Sequence, residues 1–249
     1  MSKVFFKKSG DIWELVKTIV AAVLIAGVVR TGAYEPFNIP SGSMIPTLLV
    51  GDYLFVSKFS YGYSKYSLPF SLPIISDRIF FTDPQRGDVI VFRKPTDPNT
   101  DYIKRLIGMP GEKIQMINGS LHINGQKVKR RKIVGRAGYD PFGRRVSVPQ
   151  FIETLPNGVN YKILELMGDD GEADHTRVFV VPPKHYFLMG DNRDNSVDSR
   201  DKSVGMVPVE NLIGRAEILF WAWDPQWSWW QIWNWPRAIR VSRIFSIIQ

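Results

Sequence analysis

The sequence predicts a mainly β protein: an antiparallel β core, an inserted β subdomain and one N-terminal transmembrane helix. From about residue 35 onward, short β-branched and aromatic runs alternate with Gly, Pro, Asn and Asp, which is typical of strands joined by turns. Beyond the N-terminus, no run has the periodicity of a helix of roughly ten or more residues. A single long apolar run precedes this β-type body in the chain of 249 residues.

The N-terminal part, residues 1–33, is interpreted as a cytoplasmic tail and a membrane anchor. Lys3, Lys7 and Lys8 precede the apolar run of residues 18–29. A helix of this length covers only about 18 Å of a roughly 30 Å hydrocarbon core, but apolar residues on its N-terminal side extend it. Lysines that precede a span favour a cytoplasmic N-terminus and an exported body.

Two other interpretations of this run are open from the residues alone. The segment Thr31-Gly32-Ala33 has the small-x-small pattern of a cleavage site, so the run could be a cleaved signal peptide. It could also be a buried amphipathic helix. Because no second apolar run reaches about 18 residues, the sequence allows at most one span.

Strands are expected in sequence order along the body. The first two candidates are Tyr53–Ser57 and Asp88–Phe92. The run Leu121–Val128 is expected to be a hairpin that turns at Asn124-Gly125, a pair that readily adopts positive φ. Two buried strands are then expected at Arg177–Val181 and Tyr186–Met189.

Composition divides the body into three segments. Residues 34–112 and 186–249 are expected to form one core, and residues 113–185 an inserted β subdomain. The insert contains the basic run Lys127–Lys132 and a Gly-rich acidic loop around residues 168–171. We expect the basic run to be a solvated face, not a nucleic-acid site.

Charge and aromatic residues indicate a membrane partner. The formal net charge of +8 suits an anionic surface, and no nucleic-acid motif accompanies it. With no cysteine, neither a disulfide framework nor a Cys-rich metal site is possible. Seven of the eight tryptophans lie between Trp221 and Trp235. Since Trp prefers the bilayer interface, a membrane-associating tail is favoured over a buried aromatic cluster.

The segment Gly190–Arg200, with the sequence GDNRDNSVDSR, is the densest polar stretch in the chain. It holds three Asp, two Arg, two Asn and two Ser directly after an apolar run. Such a segment cannot form a core element. We expect it to be fixed against the domain, where its side chains would serve a site, although a solvated loop is the alternative.

A pair of serines, Ser41 and Ser43, follows the N-terminal part and flanks Gly42 between prolines. Prolines fix φ, so both hydroxyls would lie on a rigid, irregular strand end. A serine needs a base before it becomes a nucleophile. A Ser-His-Asp triad is possible with the three histidines, but the Gly-x-Ser-x-Gly motif is absent. The other candidate base is Lys104, which has apolar and aromatic neighbours, and burial lowers a lysine pKa.

Several motifs occur together in one order: SGSM with GDYLFVSKFSYG, then RGDVIVF with DYIKR, then GDNRDNSVDSR. In these motifs the chain resembles the bacterial type I signal peptidases, or leader peptidases, a family of membrane-anchored Ser/Lys endopeptidases. The resemblance covers most of residues 34–112 and 186–220. The tryptophan-rich tail departs from the family pattern.

The resemblance implies roles for the candidate residues. Ser43 matches the nucleophile and Lys104 the general base. The hydroxyl of Ser41 and the backbone N–H of Ser43 match the oxyanion hole. Ser196 matches the serine that hydrogen-bonds and orients the lysine, and Asp198 with Arg200 matches an ion pair that supports the loop. Asp194 and Arg193 are expected to be structural.

The resemblance also implies two shallow apolar pockets for small side chains, in keeping with the Ala-x-Ala pattern that precedes signal-peptide cleavage sites. The matching residues are Phe37, Ile39, Pro40, Leu48, Val91, Tyr102 and Ile103. No metal and no organic cofactor are implied. The expected partners are preprotein signal peptides and the lipid bilayer, with the protein-export translocon as a further candidate, and no nucleic acid.

Family membership would make the N-terminal run an uncleaved anchor. The expected location is therefore the bacterial inner membrane, with a single pass and the catalytic core on the periplasmic side. Two other functions stay open. A Ser/Lys self-cleaving repressor would need a DNA-binding region where this chain has an apolar run. An inactive homologue would have lost Ser43 or Lys104, and both are present.

Overall fold

An antiparallel sheet of seven strands is the central element, and both ends of the body contribute to it. The computed structural model describes residues 12–22, 33–67, 75, 77–139, 145–169 and 171–248. The strand order in the sheet is β1-β2-β14-β3-β4-β12-β13. Its strands are β1 Tyr34–Asn38, β2 Asp52–Ser57, β3 Val89–Lys94, β4 Asp97–Gly108, β12 His185–Met189, β13 Val207–Pro208 and β14 Leu212–Ala222. The predicted mainly β, antiparallel fold is confirmed.

Two smaller antiparallel sheets come from the segment between β4 and β12. One has the order β10-β9-β8 and the other β11-β5-β6-β7. Their strands are β5 Lys113–Ile117, β6 Ser120–Ile123, β7 Gln126–Lys127, β8 Lys129–Tyr139, β9 Arg145–Thr154, β10 Asn160–Leu164 and β11 Phe179–Val180. Side chains from these sheets pack with Ile107, Phe187 and Met189 of the central sheet in one apolar cluster.

Local sequence signals explain most of these elements. The expected hairpin turns at Asn124 and Gly125, whose φ values are 53° and 79°. The expected strand at Arg177–Val181 is the exception. Only Phe179–Val180 is a strand, paired with β5 at the edge of its sheet. The prediction that this strand is buried is wrong, because Val180 is 57% exposed.

Helical structure is short in the described part of the chain. The elements are 3₁₀ turns at Phe59–Tyr61, Lys65–Ser67, Arg193–Asn195, Val209–Asn211, Ile232–Asn234 and Val241–Arg243, and an α-helix at Trp235–Ala238. Residues 12–22 are also helical, with exposed side chains. Among the described residues, no helix has the length and apolar character needed to cross a membrane. Much of the predicted anchor falls on residues 1–11 and 23–32, which lie outside the described residues.

The C-terminal tail returns to the central sheet after β14. Asp52, which is fully buried in β2, forms ion pairs with the guanidinium groups of Arg243 and Arg240. An isolated bridge between Ile218 and Ile247 ties the end of the tail to β14. The tail therefore has a fixed place on the sheet, because a buried carboxylate needs such cationic partners.

The tryptophans of the tail are not a buried aromatic cluster. The exposed members are Trp221, Trp229, Trp230, Trp233 and Trp235. Only Trp223 and Trp227 are half-buried, and the indole N–H of Trp223 donates to the backbone carbonyl of Trp227. The surface left by Trp229, Trp230, Ile232 and Trp233 is called the tryptophan patch below.

Candidate active site

The candidate nucleophile Ser43 lies on an irregular turn between β1 and β2. The side chains of Met44 and Leu48, both fully buried, anchor this turn in the apolar cluster below the sheet. Backbone bonds from Ile39 to Asp52 and from Gly51 to Ile39 close its base. Apolar residues directly after the serine thus hold the backbone while the hydroxyl points out of the core.

Lys104 on β4 meets this serine. Its Nζ lies 2.7 Å from Ser43 Oγ and 3.1 Å from the carbonyl oxygen of Ile103. The ring of Tyr102 lies beside it, with 5.3 Å between Nζ and the ring centroid. In its charged form the amine donates to the serine oxygen. In its neutral form the lone pair is placed to accept the serine proton.

The surroundings of Lys104 favour the neutral amine. Burial lowers the pKa of Lys104 from 10.5 to about 8. The carboxylates of Asp198 and Asp191 oppose this shift, and the guanidinium of Arg200 adds to it. Desolvation dominates because the amine is almost completely removed from water. A lysine with a pKa near 8 is partly neutral at the pH at which proteins work, as a general base must be.

Ser41 lies beside the pair. Its Oγ is 3.4 Å from Ser43 Oγ, and both residues line the same cleft. This places a second hydroxyl next to the point where a carbonyl carbon would be attacked. The position suits a donor to the oxygen of that carbonyl.

The Gly190–Arg200 loop packs against this turn as the sequence predicts for a pinned segment. Asp198 and Arg200 form a buried ion pair with an O–N distance of 2.9 Å, and Asp198 also accepts from the backbone N–H of Gly190 at 2.9 Å. Burial raises the pKa of Asp198, but the Arg200 guanidinium and these hydrogen bonds outweigh it and hold the pKa below its ordinary value. The Asp198 carboxylate therefore stays ionised beside the site.

Ser196 does not make the expected contact in this structure. The residue lines the cleft, but its hydroxyl oxygen is buried and has no hydrogen-bond partner among the described residues. Lys104 bonds instead to Ser43 and to a backbone carbonyl. Ser196 Oγ lies so close to Gly190 that a Cβ at position 190 would clash with it, so this position needs glycine.

The serines and Lys104 open into a cleft of about 660 Å³. Six of the seven residues expected in the apolar pockets line it: Phe37, Ile39, Pro40, Val91, Tyr102 and Ile103. The seventh, Leu48, is fully buried in the core and is not part of this lining. Asn38, Thr100, Asp101, Asn195 and Val197 also line the cleft and were not singled out from the sequence.

The sequence also did not predict a buried ion pair next to the serine turn. Arg105 and Asp191 are almost fully buried and meet through two N–O contacts of 2.8 Å each. Thr47 donates to the same carboxylate at 2.5 Å, and Arg105 reaches the carbonyl of Gly87 at 2.7 Å. These bonds connect β4, the serine turn and the loop. The signal in the sequence was a second charged residue directly after Lys104, between the apolar residues Ile103 and Leu106.

Two neighbouring loop residues were expected to be structural. Arg193 pairs with Glu153 of β9 and contacts the hydroxyl of Tyr161 on β10 at 2.8 Å, so it ties the loop to the adjacent sheet. Asp194 accepts from the backbone N–H of Met167 at 2.6 Å and also reaches the rim of the cleft.

One acidic group in the described part of the chain has the spacing of metal ligands. The carboxylate oxygens of Glu165, Asp174 and Asp194 lie within 4.8 Å of one another. Burial raises the pKa of Glu165 to about 9. Of the three residues, Asp194 reaches the rim of the cleft, whereas Glu165 and Asp174 do not line it.

Comparisons with known proteins show the family of this chain. The family described as "Signal peptidase, peptidase S26" matches residues 12–221. Signal peptidase I of Rickettsia typhi is 41% identical over 90% of this chain and 89% of its own length, and that of Rickettsia canadensis is 40% identical over 92% and 91%.

A solved structure was also compared. The crystal structure of a signal peptidase I from Enterococcus faecalis is 27% identical, covers 54% of this chain and 97% of that chain, and superposes with a TM-score of 0.32. The family match spans most of the chain and the rickettsial relatives cover it almost end to end. The chain therefore belongs to the signal peptidase family, peptidase S26, and is a hydrolase of that family.

Proposed function

We propose that this peptidase is a membrane-anchored serine endopeptidase that removes N-terminal signal peptides from exported preproteins with a Ser43/Lys104 dyad. The observation that carries the proposal is the 2.7 Å contact between Lys104 Nζ and Ser43 Oγ at the wall of an apolar cleft. The lowered pKa of the lysine supports the same assignment.

The first half of the reaction forms an acyl-enzyme. Neutral Lys104 takes the proton of Ser43 as Oγ attacks the scissile carbonyl carbon, giving a tetrahedral intermediate with a negative oxygen. The ammonium of Lys104 then gives its proton to the leaving amine as the C–N bond breaks. The mature protein leaves with a new N-terminus, and the signal peptide stays on Ser43 as an ester.

The second half releases the signal peptide. Lys104, neutral again, takes a proton from a water molecule whose oxygen attacks the ester carbon. The second tetrahedral intermediate collapses, the C–Oγ bond breaks, and the proton returns to Ser43. One base thus serves both halves, and protons and bonds balance without a metal or cofactor.

The Ser43 backbone N–H and the Ser41 hydroxyl are proposed to stabilise the negative oxygen. One such donor contributes roughly 3–4 kcal/mol to the transition state. The 3.4 Å separation of the two hydroxyl oxygens supports Ser41 in this role, because it places the second donor beside the attacking atom.

The substrate is proposed to lie extended between β1 and the first part of β4. Pairing of β4 with β12 begins only at Arg105, and residues 100–104 line the cleft opposite residues 37–40. An extended peptide could add to this edge by backbone hydrogen bonds. The apolar walls would then select small side chains before the cut, by excluding larger ones.

Membrane association is proposed from two features. One is the N-terminal apolar run, which would act as the single-pass anchor in the bacterial inner membrane. The other is the exposed tryptophan patch, since Trp rings favour the bilayer interface. Residues 34–112 with 186–249 would form the extracytoplasmic catalytic core, and residues 113–185 its insert. The translocon as a partner is a prediction of the resemblance alone.

The test is processing of a preprotein with an Ala-x-Ala site by Ser43→Ala and Lys104→Ala. Both variants are expected to lose processing. Ser120→Ala serves as a control, because Ser120 is also buried but lies on β6 and does not line the cleft. Retained cleavage in either dyad variant, in a preparation free of wild-type enzyme, would refute the mechanism.

A further inference from the structure

We infer that Asn192 is a positioning residue for the oxyanion hole, acting through the peptide group that joins Gly42 to Ser43. The inference rests on the proposed function, because it assigns the Ser43 backbone N–H as an oxyanion donor. It adds a residue that the dyad does not contain and that does not line the cleft.

Asn192 holds two successive carbonyl groups of the serine turn. Its side-chain Nδ2 donates to the carbonyl oxygen of Gly42 at 3.0 Å, and its backbone N–H donates to the carbonyl oxygen of Ser43 at 3.0 Å. The residue is only 7% exposed, so water does not readily replace these bonds. One loop residue thereby fixes the backbone on both sides of the nucleophile.

The first of these bonds determines where the Ser43 N–H points. A peptide group is planar and trans, so its C=O and N–H bonds point in opposite directions in one plane. Because the Gly42 carbonyl and the Ser43 N–H belong to the same group, holding the oxygen fixes the direction of the hydrogen. A donor at the oxygen also polarises the group and strengthens the N–H as a donor.

Glycine at position 42 makes such a restraint necessary. A residue without Cβ has wide φ/ψ freedom, so the peptide that follows it can rotate more easily than elsewhere in the turn. Among the described residues, the Gly42 oxygen accepts from one other donor, the backbone N–H of Ile45, at the longer distance of 3.2 Å. The Asn192 amide is therefore the closer of the two donors that hold this peptide.

The position of Asn192 is itself fixed by the fold. Its neighbour Asp191 is locked in the buried pair with Arg105, and the Asp191 carbonyl accepts from the backbone N–H of Leu164 at 2.9 Å. The Asn192 carbonyl accepts from Asn195 at 3.1 Å. The restraint on the oxyanion donor thus runs from the buried ion pair through Asn192 to the Gly42–Ser43 peptide.

The consequence is a selective loss in the chemical step. Removing an oxyanion donor outright lowers kcat by about 10²–10³-fold. In Asn192→Ala the Ser43 N–H remains but is less well aimed, so kcat should fall by about ten- to thirty-fold, below that limit. KM should change little because the ground-state carbonyl gains less from the donor than the oxyanion does. The acidic limb of the pH profile should stay in place because Lys104 is untouched.

The experiment compares Asn192→Ala and Asn192→Asp with Asn211→Ala in the full chain, on a preprotein with an Ala-x-Ala site. Asn211 is a matched control: it is also 7% exposed, and its Nδ2 donates to a backbone carbonyl, that of Arg93, at 2.9 Å. For each variant kcat, KM, the pH profile and the thermal midpoint are measured. A peptide aldehyde, whose adduct with Ser43 carries the oxyanion, and an uncleavable peptide with Pro after the cut serve as binding probes.

We expect both Asn192 variants to lose kcat and aldehyde affinity in parallel, with unchanged affinity for the uncleavable peptide. Asn211→Ala should keep the kcat of the wild type. An unchanged kcat in the Asn192 variants, an equal loss in Asn211→Ala, or a shifted acidic limb in the uncharged Asn192→Ala variant would overturn the inference. If Asn192→Ala fails to fold, the nearly isosteric Asn192→Asp decides alone. Activity in Ser43→Ala would instead show that the proposed function itself is wrong.

Discussion

Ser43 and Lys104 are 61 positions apart in sequence, yet the Oγ of one lies 2.7 Å from the Nζ of the other. The turn after β1 provides the hydroxyl, and the middle of β4 provides the amine. The Lys104 amine extends from a central strand of the sheet to the hydroxyl. The same position on β4 therefore both brings the amine into contact with Ser43 and buries it. Proximity and a lowered pKa thus have one structural cause, which leads to several measurable consequences.

The first prediction concerns the pH dependence of the wild-type enzyme. The base must be neutral in the free enzyme, so kcat/KM should rise with pH and level off above the Lys104 pKa of about 8. Below that pH, protonation of the single group Lys104 should suppress activity. The logarithm of kcat/KM should therefore fall by about one unit per pH unit. A steady-state pH profile on a preprotein measures this. An acidic limb near the ordinary lysine value of 10.5 would contradict a base tuned by burial.

The second prediction concerns Asp198. Its carboxylate raises the pKa of Lys104 against the effect of burial, and Arg200 lowers it. In Asp198→Asn the negative charge is gone while the Arg200 charge remains, so the acidic limb should move to lower pH. The thermal midpoint should also fall, because Arg200 loses its ion-pair partner.

Asp201→Asn is the control for the Asp198 variant. Asp201 lies three residues further along, is exposed, and bonds to the backbone N–H of Ser203. It does not contribute to the pKa shift of Lys104. Its acidic limb should coincide with that of the wild type. A limb that moves to higher pH in Asp198→Asn would refute the electrostatic assignment.

The third prediction concerns stability. A lysine pKa lowered from 10.5 to about 8 corresponds to about 3 kcal/mol of destabilisation below pH 8, because the unfolded chain binds the proton more tightly. This penalty should fade as the pH rises from 8 toward 10.5. Lys104→Met should therefore be more stable than the wild type at pH 6, with the difference shrinking toward pH 10, as measured by urea unfolding.

Lys58 provides the matched comparison. It is as little exposed as Lys104, at 4%, but it forms an ion pair with Glu35 at 3.0 Å and donates to the carbonyl of Ser67 at 2.9 Å. Lys58→Met should destabilise, because it removes the ion pair with Glu35 and the hydrogen bond to the Ser67 carbonyl. If both substitutions change the free energy of unfolding equally at pH 6, burying the charge of Lys104 does not destabilise the fold and the prediction is wrong.

The strands and the candidate dyad could be predicted from local pattern, whereas the contacts between distant segments could not. Alternating and apolar runs were enough for β2, β3 and β12, and Asn124-Gly125 was enough for the hairpin. The strand at Val180 was expected to be buried because its apolar residues resemble those of a core strand. Its exposure follows from a place at the sheet edge, which composition does not reveal.

The site shows the same division. Ser43 and Lys104 were found through motifs, but the Arg105–Asp191 pair and the Asn192 clamp depend on how the loop packs on the turn. Leu48 was expected in a pocket because the family resemblance implies it, yet its side chain is fully buried in the core. Spacing along an irregular turn does not reveal which way a side chain points, since such a turn lacks the fixed period of a helix or strand.

The fourth prediction tests the cleft as the determinant of specificity. Val91 lines the cleft, whereas Val89, two residues earlier on β3, does not line it, and both are 2% exposed in the same apolar cluster. Val91→Ala should widen the pocket and raise cleavage at sites with Val in place of Ala before the cut. Val89→Ala should lose similar stability without this change. Specificity is measured as the kcat/KM ratio of the two peptides, and equal ratios in both variants would contradict the pocket.

The fifth prediction tests the tryptophan patch on a bilayer. Trp229 and Trp233 are 73% and 71% exposed, whereas the tail residues Trp223 and Trp227 are half-buried. In full-length enzyme reconstituted into phosphatidylcholine vesicles, lipids brominated near the headgroups should quench fluorescence from the patch. Trp229→Phe with Trp233→Phe should remove a large part of this quenching, because those indoles would lie at the interface.

The paired control, Trp223→Phe with Trp227→Phe, should remove little, because these residues pack within the tail, where the Trp223 indole donates to a backbone carbonyl. If the two double variants lose quenching equally, or if neither loses any, the patch does not face lipid and the proposed membrane contact of the tail is wrong.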